Sequence, residues 1–538
     1  MRKLVLLFCS IGCCISAGAQ SVNFTSSDLP IVIIDTHGQD ILDDPKITAD
    51  MKIIDNGPGV RNNITDPPTA YSGDIGIETR GNSSQMFPMK SYGLELRDSE
   101  GESVDKSLFG LPEESDWVMY APYTDKTFMR NVLAYTLSNE MGHWAAHCKY
   151  VEVVLNGDYR GIYVFMEQIK RNKGRVDISK LKDSDNEGDD VTGGYIVRID
   201  KGAQGWYSPY SSNVQFDYYY PKLKDITDPQ KEYIENYVDS FENALNSVEF
   251  QDTAKGFRHF ADESSFIDYF IVNEVSRNVD AYRLSSYFYK DKITHGGKLI
   301  AGPVWDYDLA FRNANYCSGS DTTGWAYQFN SVCSTDQYQV PFWWDRFFED
   351  SLFEGNLLCR WKELRQSVLS EGHIDSLIDS VTVVVNEAKE RHFQRWPVLG
   401  QYVWPNPDPI PQTYEEEITA LKDWISQRLD WIDHNLPDTG PCSSAAVTPP
   451  AIPDELSIQV YPNPVQSSGV ILIRSPKEQV LTLSVYNADG RKIMTTKEEL
   501  QAGRNQFSLD LQHQPPGMYF LRFTGPDGIK ILKKVLHQ

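Results

Sequence analysis

Basic residues are in short supply. Lys and Arg total 51 against 75 Asp and Glu, a formal net charge of -24 in 538 residues. That balance excludes passive binding to nucleic acid or to an anionic membrane, because both need basic patches. It suits a protein that holds cations. Cysteine is sparse as well. Cys9, Cys13 and Cys14 lie at the extreme N-terminus, and Cys148, Cys317, Cys333, Cys359 and Cys442 are the rest. None of these five sits in a C-x-x-C motif, which argues against structural zinc. Cys317 with Cys333 closes a short polar loop and is the natural disulfide pair in an oxidising compartment. The odd count leaves at least one thiol free. Past the N-terminus no apolar run is long enough to span a bilayer. Missing too are a Walker A loop and a G-x-S-x-G elbow. His143 and His147 are four apart but lack the Glu of a metalloprotease helix. Asp183, Asp185 and Glu187 imitate a calcium loop whose twelfth position is Gly194 instead of Glu.

What is present divides the chain. Arg2 and Lys3, the apolar stretch Leu4 to Ile15 and the small residues Ala17-Gly-Ala19 read as a signal peptide over 1–19, with Gln20 the first mature residue. A lipoprotein signal using Cys13 or Cys14 is the alternative, without a good lipobox. Residues 20–69 carry short β-rich runs, Ile31 to Ile34 and Met51 to Ile54, and are expected as an N-terminal β extension. Residues 70–436 mix strands and helices. Asp125 precedes an amphipathic run (Phe128, Met129, Val132, Leu133, Leu137) that stops near Gly142, and a last helix runs from Tyr414 to about Ile432. Residues 437–453 are a Pro-, Ser- and Thr-rich linker. Residues 454–538 alternate apolar and polar in short runs separated by Gly, Asn, Asp and Pro, as in a small β-sandwich.

Three clusters carry chemistry. Asp280 precedes a strand at Ser286–Tyr289; a turn at Thr294–Gly297 leads to a second strand from Leu299, followed by Trp305-Asp306-Tyr307-Asp308. In a hairpin, the residue before the first strand lies beside the residue after the second. Asp280, Asp306 and Asp308 are therefore expected together. Three carboxylates at one place repel, and a hard cation such as Mg²⁺ relieves them. That is also the layout of phosphoryl transfer, with one Asp for the acceptor hydroxyl and another for the metal. A helix cap followed by two solvent-facing turn residues would give the same pattern. The second cluster is Arg80-Gly-Asn-Ser83-Ser84, between two strands, where backbone N–H groups and hydroxyls can cradle phosphate. Lys90 follows as a point charge within reach of a phosphate. A polar hairpin loop with a solvated Lys is the plainer account. The third is Glu167, past the hairpin Val151–Leu155, Asn156-Gly157, Ile162–Phe165; it can pair with Lys90 or make a surface ion pair.

In this order the pieces resemble the CotH kinase family. The matching segments are Arg80 to Ser84 with Lys90-Ser-Tyr92, Asp116-Trp117, Asp125 with Arg130-Asn131, Leu155-Asn-Gly157, Gly161-Ile-Tyr163, Glu167, Gly193-Gly-Tyr-Ile196 with Asp200-Lys201, Asn278-Val-Asp280 and Gly302-Pro-Val-Trp-Asp-Tyr-Asp308. The resemblance implies a divergent protein-kinase-like domain that binds ATP and Mg²⁺ (or Mn²⁺) and phosphorylates a protein. It makes Asp280 the catalytic Asp and Asp306 the metal Asp, with Asp308 in support. Lys90, Glu167, Arg80, Ser83 and Ser84 then contact or organise the nucleotide. Two departures stand out. Met89-Lys90 replaces a pair of basic residues, and Ser285 and Ser286 occupy the stretch where a metal-binding Asn is expected. The final domain resembles the type IX secretion sorting domain of Bacteroidota, through Val460-Tyr-Pro-Asn-Pro464, Val485-Tyr-Asn-Ala-Asp-Gly490 and Pro516-Gly-Met-Tyr-Phe-Leu521. It implies handling by the type IX machinery and a secreted or cell-surface location.

The expected fold class is thus α+β: a short β extension, a kinase-like domain and a small all-β sandwich. The expected function is a secreted, ATP- and Mg²⁺-dependent atypical kinase acting on a protein hydroxyl. The alternative is a catalytically inactive relative that serves as a cell-surface scaffold. A metal-dependent hydrolase on the same carboxylates lacks His ligands near them.

Overall fold

A computed structural model describes residues 21–57, 59–437, 456–461, 465, 468–487, 491–525 and 530–537. The expected signal peptide and nearly all of the expected linker lie outside the described residues. The chain forms two compact units, the first running to residue 438 apart from 355–359.

The first unit opens with a closed seven-stranded barrel. Its strands are β1 (Ile31–Asp35), β2 (Ile47–Ile54), β3 (Tyr71–Arg80), β4 (Ser91–Arg97), β5 (Asp116–Tyr120), β6 (Cys148–Leu155) and β7 (Asp158–Glu167). The order around the barrel is β1-β2-β3-β4-β5-β7-β6, and β6 returns to β1 in parallel, Ile31 opposite Glu152. The interior is filled at every second position. Ile75 and Ile77 face Leu96 and Leu94 across the β3–β4 ladder, and Trp117, Met119, Val151 and Val153 complete the same cluster. Period-two burial of this kind fixes register, since a slip of one residue would turn each strand's apolar set outward. Residues 20–69, expected as an extension, supply two of the seven strands. A barrel has no free edge, so β1 and β2 are as much its wall as the strands that follow. Asn156 and Gly157 both take positive φ (51° and 77°) between β6 and β7, the hairpin turn that an Asn-Gly pair favours.

A second sheet and a set of helices follow. Its strands are β8 (Tyr195–Ile199), β9 (Tyr207–Ser208), β10 (Ser211–Tyr220), β11 (Ser286–Lys290) and β12 (Leu299–Ala301), in the order β9-β10-β8-β11-β12. The main helices are α1 (Arg130–Met141), α2 (Asp228–Asn246), α3 (Glu263–Ser276), α4 (Ser351–Arg365), α5 (Glu371–Val384), α6 (Ala388–Arg395) and α7 (Tyr414–Asn435). Helix α1 starts where Asp125 accepts the Arg130 N–H at 2.8 Å, and it ends on left-handed Gly142 (φ 102°). Helix α3 is buried along most of its length, which accounts for its nearly unbroken apolar run from Phe266 to Ile271. Arg428 of α7 and Glu274 of α3 pair at 3.0 Å with side chains 0% and 1% exposed. Cys317 and Cys333 are disulfide-bonded, and Cys148 is a free thiol.

The second unit is built of strands. β13 (Ser457–Tyr461), β14 (Ser468–Ser475) and β17 (Gly503–Asp510) form one antiparallel sheet; β15 (Gln479–Asn487), β16 (Lys492–Leu500), β18 (Gly517–Thr524) and β19 (Lys530–His537) form the other. Ile471, Ile473, Leu481, Leu483, Leu509 and Phe523, drawn from both sheets, share one core. No helix among the described residues is long and apolar enough to cross a membrane.

Candidate functional site

The two strands β3 and β4 are joined by a loop over residues 81–90 that contains one short 3-10 helix (Ser83–Met86), and the β11–β12 hairpin carries acidic residues at one end. One cavity of about 280 Å³ brings these together. Arg80, Gly81, Ser83 and Ser84 line it from the barrel. Asp200, Asp280, Ser285, Asp306 and Asp308 line it from the other side.

The first turn of this loop is compact. Gly81 has φ 97°, a left-handed backbone that favours glycine, and a Cβ there would sit 2.0 Å from the Ser84 hydroxyl oxygen and displace it. Gln85 donates to the Gly81 carbonyl at 2.7 Å. The Arg80 guanidinium lies 5.7 Å from the centre of the Trp305 ring, which links the turn to the residue before Asp306.

The acidic side is held by backbone anchors. Asn278 accepts the Asp280 N–H at 3.1 Å and donates to the Asp306 carbonyl at 3.2 Å, tying the two Asp-bearing segments to each other. From α1, the Tyr135 hydroxyl accepts the Asp306 N–H at 3.1 Å, and Asn131 accepts the Tyr307 N–H at 2.6 Å. Five residues here have left-handed backbones without being glycine: Tyr282, Ser285, Asp306, Phe311 and Arg312, with φ between 46° and 81°. Each is costly for a side chain with a Cβ, and such residues gather at functional sites where the surroundings hold them.

The charges repel. Asp306 reaches solvent at the mouth, yet the protein around it, then Asp280 and Asp200, push its carboxyl up to about 6. Burial, then Asp306 and Asp280, drive Asp308 well above the carboxylate range. Asp280 is raised by burial against the pull of Arg283, its partner at 2.7 Å, and Lys201. No group of three or more His, Cys, Asp or Glu among the described residues forms a metal cage by itself. An oxygen-only donor set with mutual repulsion nevertheless matches what a hard cation takes from one or two carboxylates, completing its shell with water and phosphate oxygens.

A family model described as CotH kinase protein matches residues 77–432. The chain belongs to this family. A second model, described as a secretion system C-terminal sorting domain, matches residues 459–538. This CotH chain is therefore directed to export by the type IX route. No curated protein matches it. Among solved structures, dimeric latent PorU from Porphyromonas gingivalis is similar at 20% identity with a TM-score of 0.14; the match covers 16% of this chain and 9% of that one.

Within the CotH domain, two of the residues singled out from sequence lie apart from the cavity lining. Lys90 donates its Nζ to the Gln85 carbonyl and so braces the base of the turn. Glu167, fully buried, accepts from the His147 backbone at 3.0 Å and its ring at 2.7 Å, and faces Arg175 at 3.6 Å. The structure does not join Lys90 to Glu167. A carbonyl five residues back takes Lys90, and tertiary packing sets His147 and Arg175 beside Glu167. Conversely, Asp200 lines the cavity and accepts the Ser285 N–H at 3.4 Å. It comes from the end of β8, and only its place in the Asp200-Lys201 motif marks it in the sequence. Tyr120, buried and with no partner for its hydroxyl, lines the cavity from β5. Nothing in the sequence singles it out.

Proposed function

We propose that the protein is an exported kinase of the CotH type that transfers the γ-phosphate of ATP to a protein hydroxyl with Mg²⁺ or Mn²⁺. The observation that carries this is the cavity in which the Gly-Asn-Ser-Ser segment faces four carboxylates, Asp200, Asp280, Asp306 and Asp308. The cation, when bound, neutralises phosphate charge. The chain's own residues bind and orient. Arg80, Ser83, Ser84 and the turn's N–H groups are placed to receive phosphate oxygens. Asp306 and Asp308 hold the cation, and Asp280 takes the acceptor hydroxyl. With little covalent chemistry to do, catalysis is positioning and charge neutralisation.

One observation favours the inactive scaffold instead. Ser286, in the stretch where a second metal ligand is expected, turns its hydroxyl to the Leu284 carbonyl at 3.1 Å. Ser285 remains, 3.5 Å from an Asp306 oxygen, and a hydroxyl is a poorer ligand than an amide or carboxylate. Thermal unfolding of the full chain separates the two. A ligand that binds only the folded state at about 100 times its Kd adds about 2.7 kcal/mol. Stabilisation by ATP that requires Mg²⁺ or Mn²⁺ and disappears in Asp306→Ala supports the kinase. No shift at millimolar ATP and metal supports the scaffold.

A further inference from the structure

The acidic cavity holds a cation that its carboxylates do not capture. Three basic side chains line it: Arg80, Arg198 and Lys201. Arg198 is committed, donating to Asp217 at 2.8 and 3.0 Å and pairing with Asp200 at 3.1 Å. Arg80 rests against the Trp305 ring. Arg283, three residues after Asp280, is taken by Asp280 at 2.7 Å and by Asp336 at 3.4 Å. The Lys201 amine makes no ion pair with any of the four carboxylates of the cavity. Its charge nonetheless pulls both Asp280 and Asp306 toward the ionised form, against the burial that raises them.

The root of this side chain is fixed. Lys201 follows β8, and one oxygen of Asp200 accepts the Lys201 N–H at 2.8 Å and the Ser285 N–H at 3.4 Å. Ser285 in turn sets its hydroxyl 3.5 Å from an Asp306 oxygen. A point charge on a flexible four-carbon stem is thus delivered to the place where Asp280 and Asp306 meet. Before a divalent cation binds, the ammonium offsets part of the carboxylate charge. With a cation held by Asp306 and Asp308, the ammonium is repelled from them, and phosphate oxygens become its partners. We propose that Lys201 is a further catalytic residue whose ammonium binds the γ-phosphoryl oxygens of ATP. In the transfer, the acceptor oxygen forms its bond to the γ-phosphorus as the bond to the ADP oxygen breaks. Asp280 takes the hydroxyl proton, ADP leaves, and Lys201 keeps its own protons while it neutralises charge on the moving group. This assignment rests on the kinase reading of the cavity.

Isothermal titration calorimetry of the full chain with Mn²⁺ tests it, using ADP and the non-transferable ATP analogue AMP-PNP. Lys201→Met weakens AMP-PNP by about tenfold or more, the loss of one charged hydrogen bond, and ADP by less than about twofold. Lys201→Arg keeps most of the AMP-PNP affinity, because the phosphate needs the charge. Lys201→Gln shows the same selective loss as the Met variant and decides the matter if that one fails to fold by circular dichroism. Equal losses for ADP and AMP-PNP, or no loss for either, overturn the inference alone and leave Lys201 as a counter-charge to the carboxylates. A wild type that binds neither nucleotide overturns the kinase reading, and the inference with it.

Discussion

Glu242 gives the sharpest test of how this fold handles buried charge. It lies on α2, 0% exposed, and accepts from the Ser208 hydroxyl at 2.9 and 3.0 Å and from the Trp343 indole at 2.7 Å. Burial pushes its carboxyl from 4.5 to about 7, only partly offset by those hydrogen bonds. The folded state therefore binds a proton more tightly than the unfolded chain. Stability from this group is fully present below about pH 4.5, falls as pH rises, and is gone above about pH 7. At about 1.4 kcal/mol for each tenfold change in proton affinity, the loss is about 3 kcal/mol. In Glu242→Gln the side-chain carbonyl can still accept from Ser208 and Trp343, and nothing ionises. Urea unfolding of both proteins between pH 5 and 8 is the assay. The wild type should lose about 2.5 kcal/mol relative to the variant across that range, the rest having been lost below pH 5, and the difference cancels the titration of every other group. Parallel curves for the two proteins would refute the claim that Glu242 is desolvated.

Arg428→Met strands the buried Glu274 carboxylate and should cost about 3–5 kcal/mol, read as a fall in the urea midpoint. Gly193→Ala would place a Cβ 1.9 Å from the Lys292 nitrogen and 2.1 Å from the Asp291 carbonyl carbon, both backbone; a loss of about 3 kcal/mol or more is expected in the same assay. Cys317→Ser opens a loop with a sequence separation of 16 and should cost about 3 kcal/mol, read as a fall in the urea midpoint.

Local signals in the sequence proved legible where neighbours in the chain decide the outcome. Asn156-Gly157 specifies its own turn, Gly142 ends α1, and the turn after Lys290 returns β12 to β11, which sets Asp306 and Asp308 near Asp280. What could not be read locally depends on distant partners. The pairing of β1 with β6 leaves no trace in either strand's own pattern, so two barrel strands look like an appendage. Glu167 finds His147 and Arg175 because the barrel end folds against them. Asp200 enters the cleft from another sheet, and its role follows from topology.

The way the barrel closes bears on the order in which the chain can fold. Ile31 meets Glu152 only after some 120 residues (31 against 152) have been made. Until β6 arrives, β1 has one unpaired edge and the growing sheet stays open, able to pair with another chain. Such a high sequence separation makes formation slow, because the loop must close before the contact repays it. A protein with this topology is late to become compact, and at high concentration its incomplete barrel is the segment most exposed to self-association.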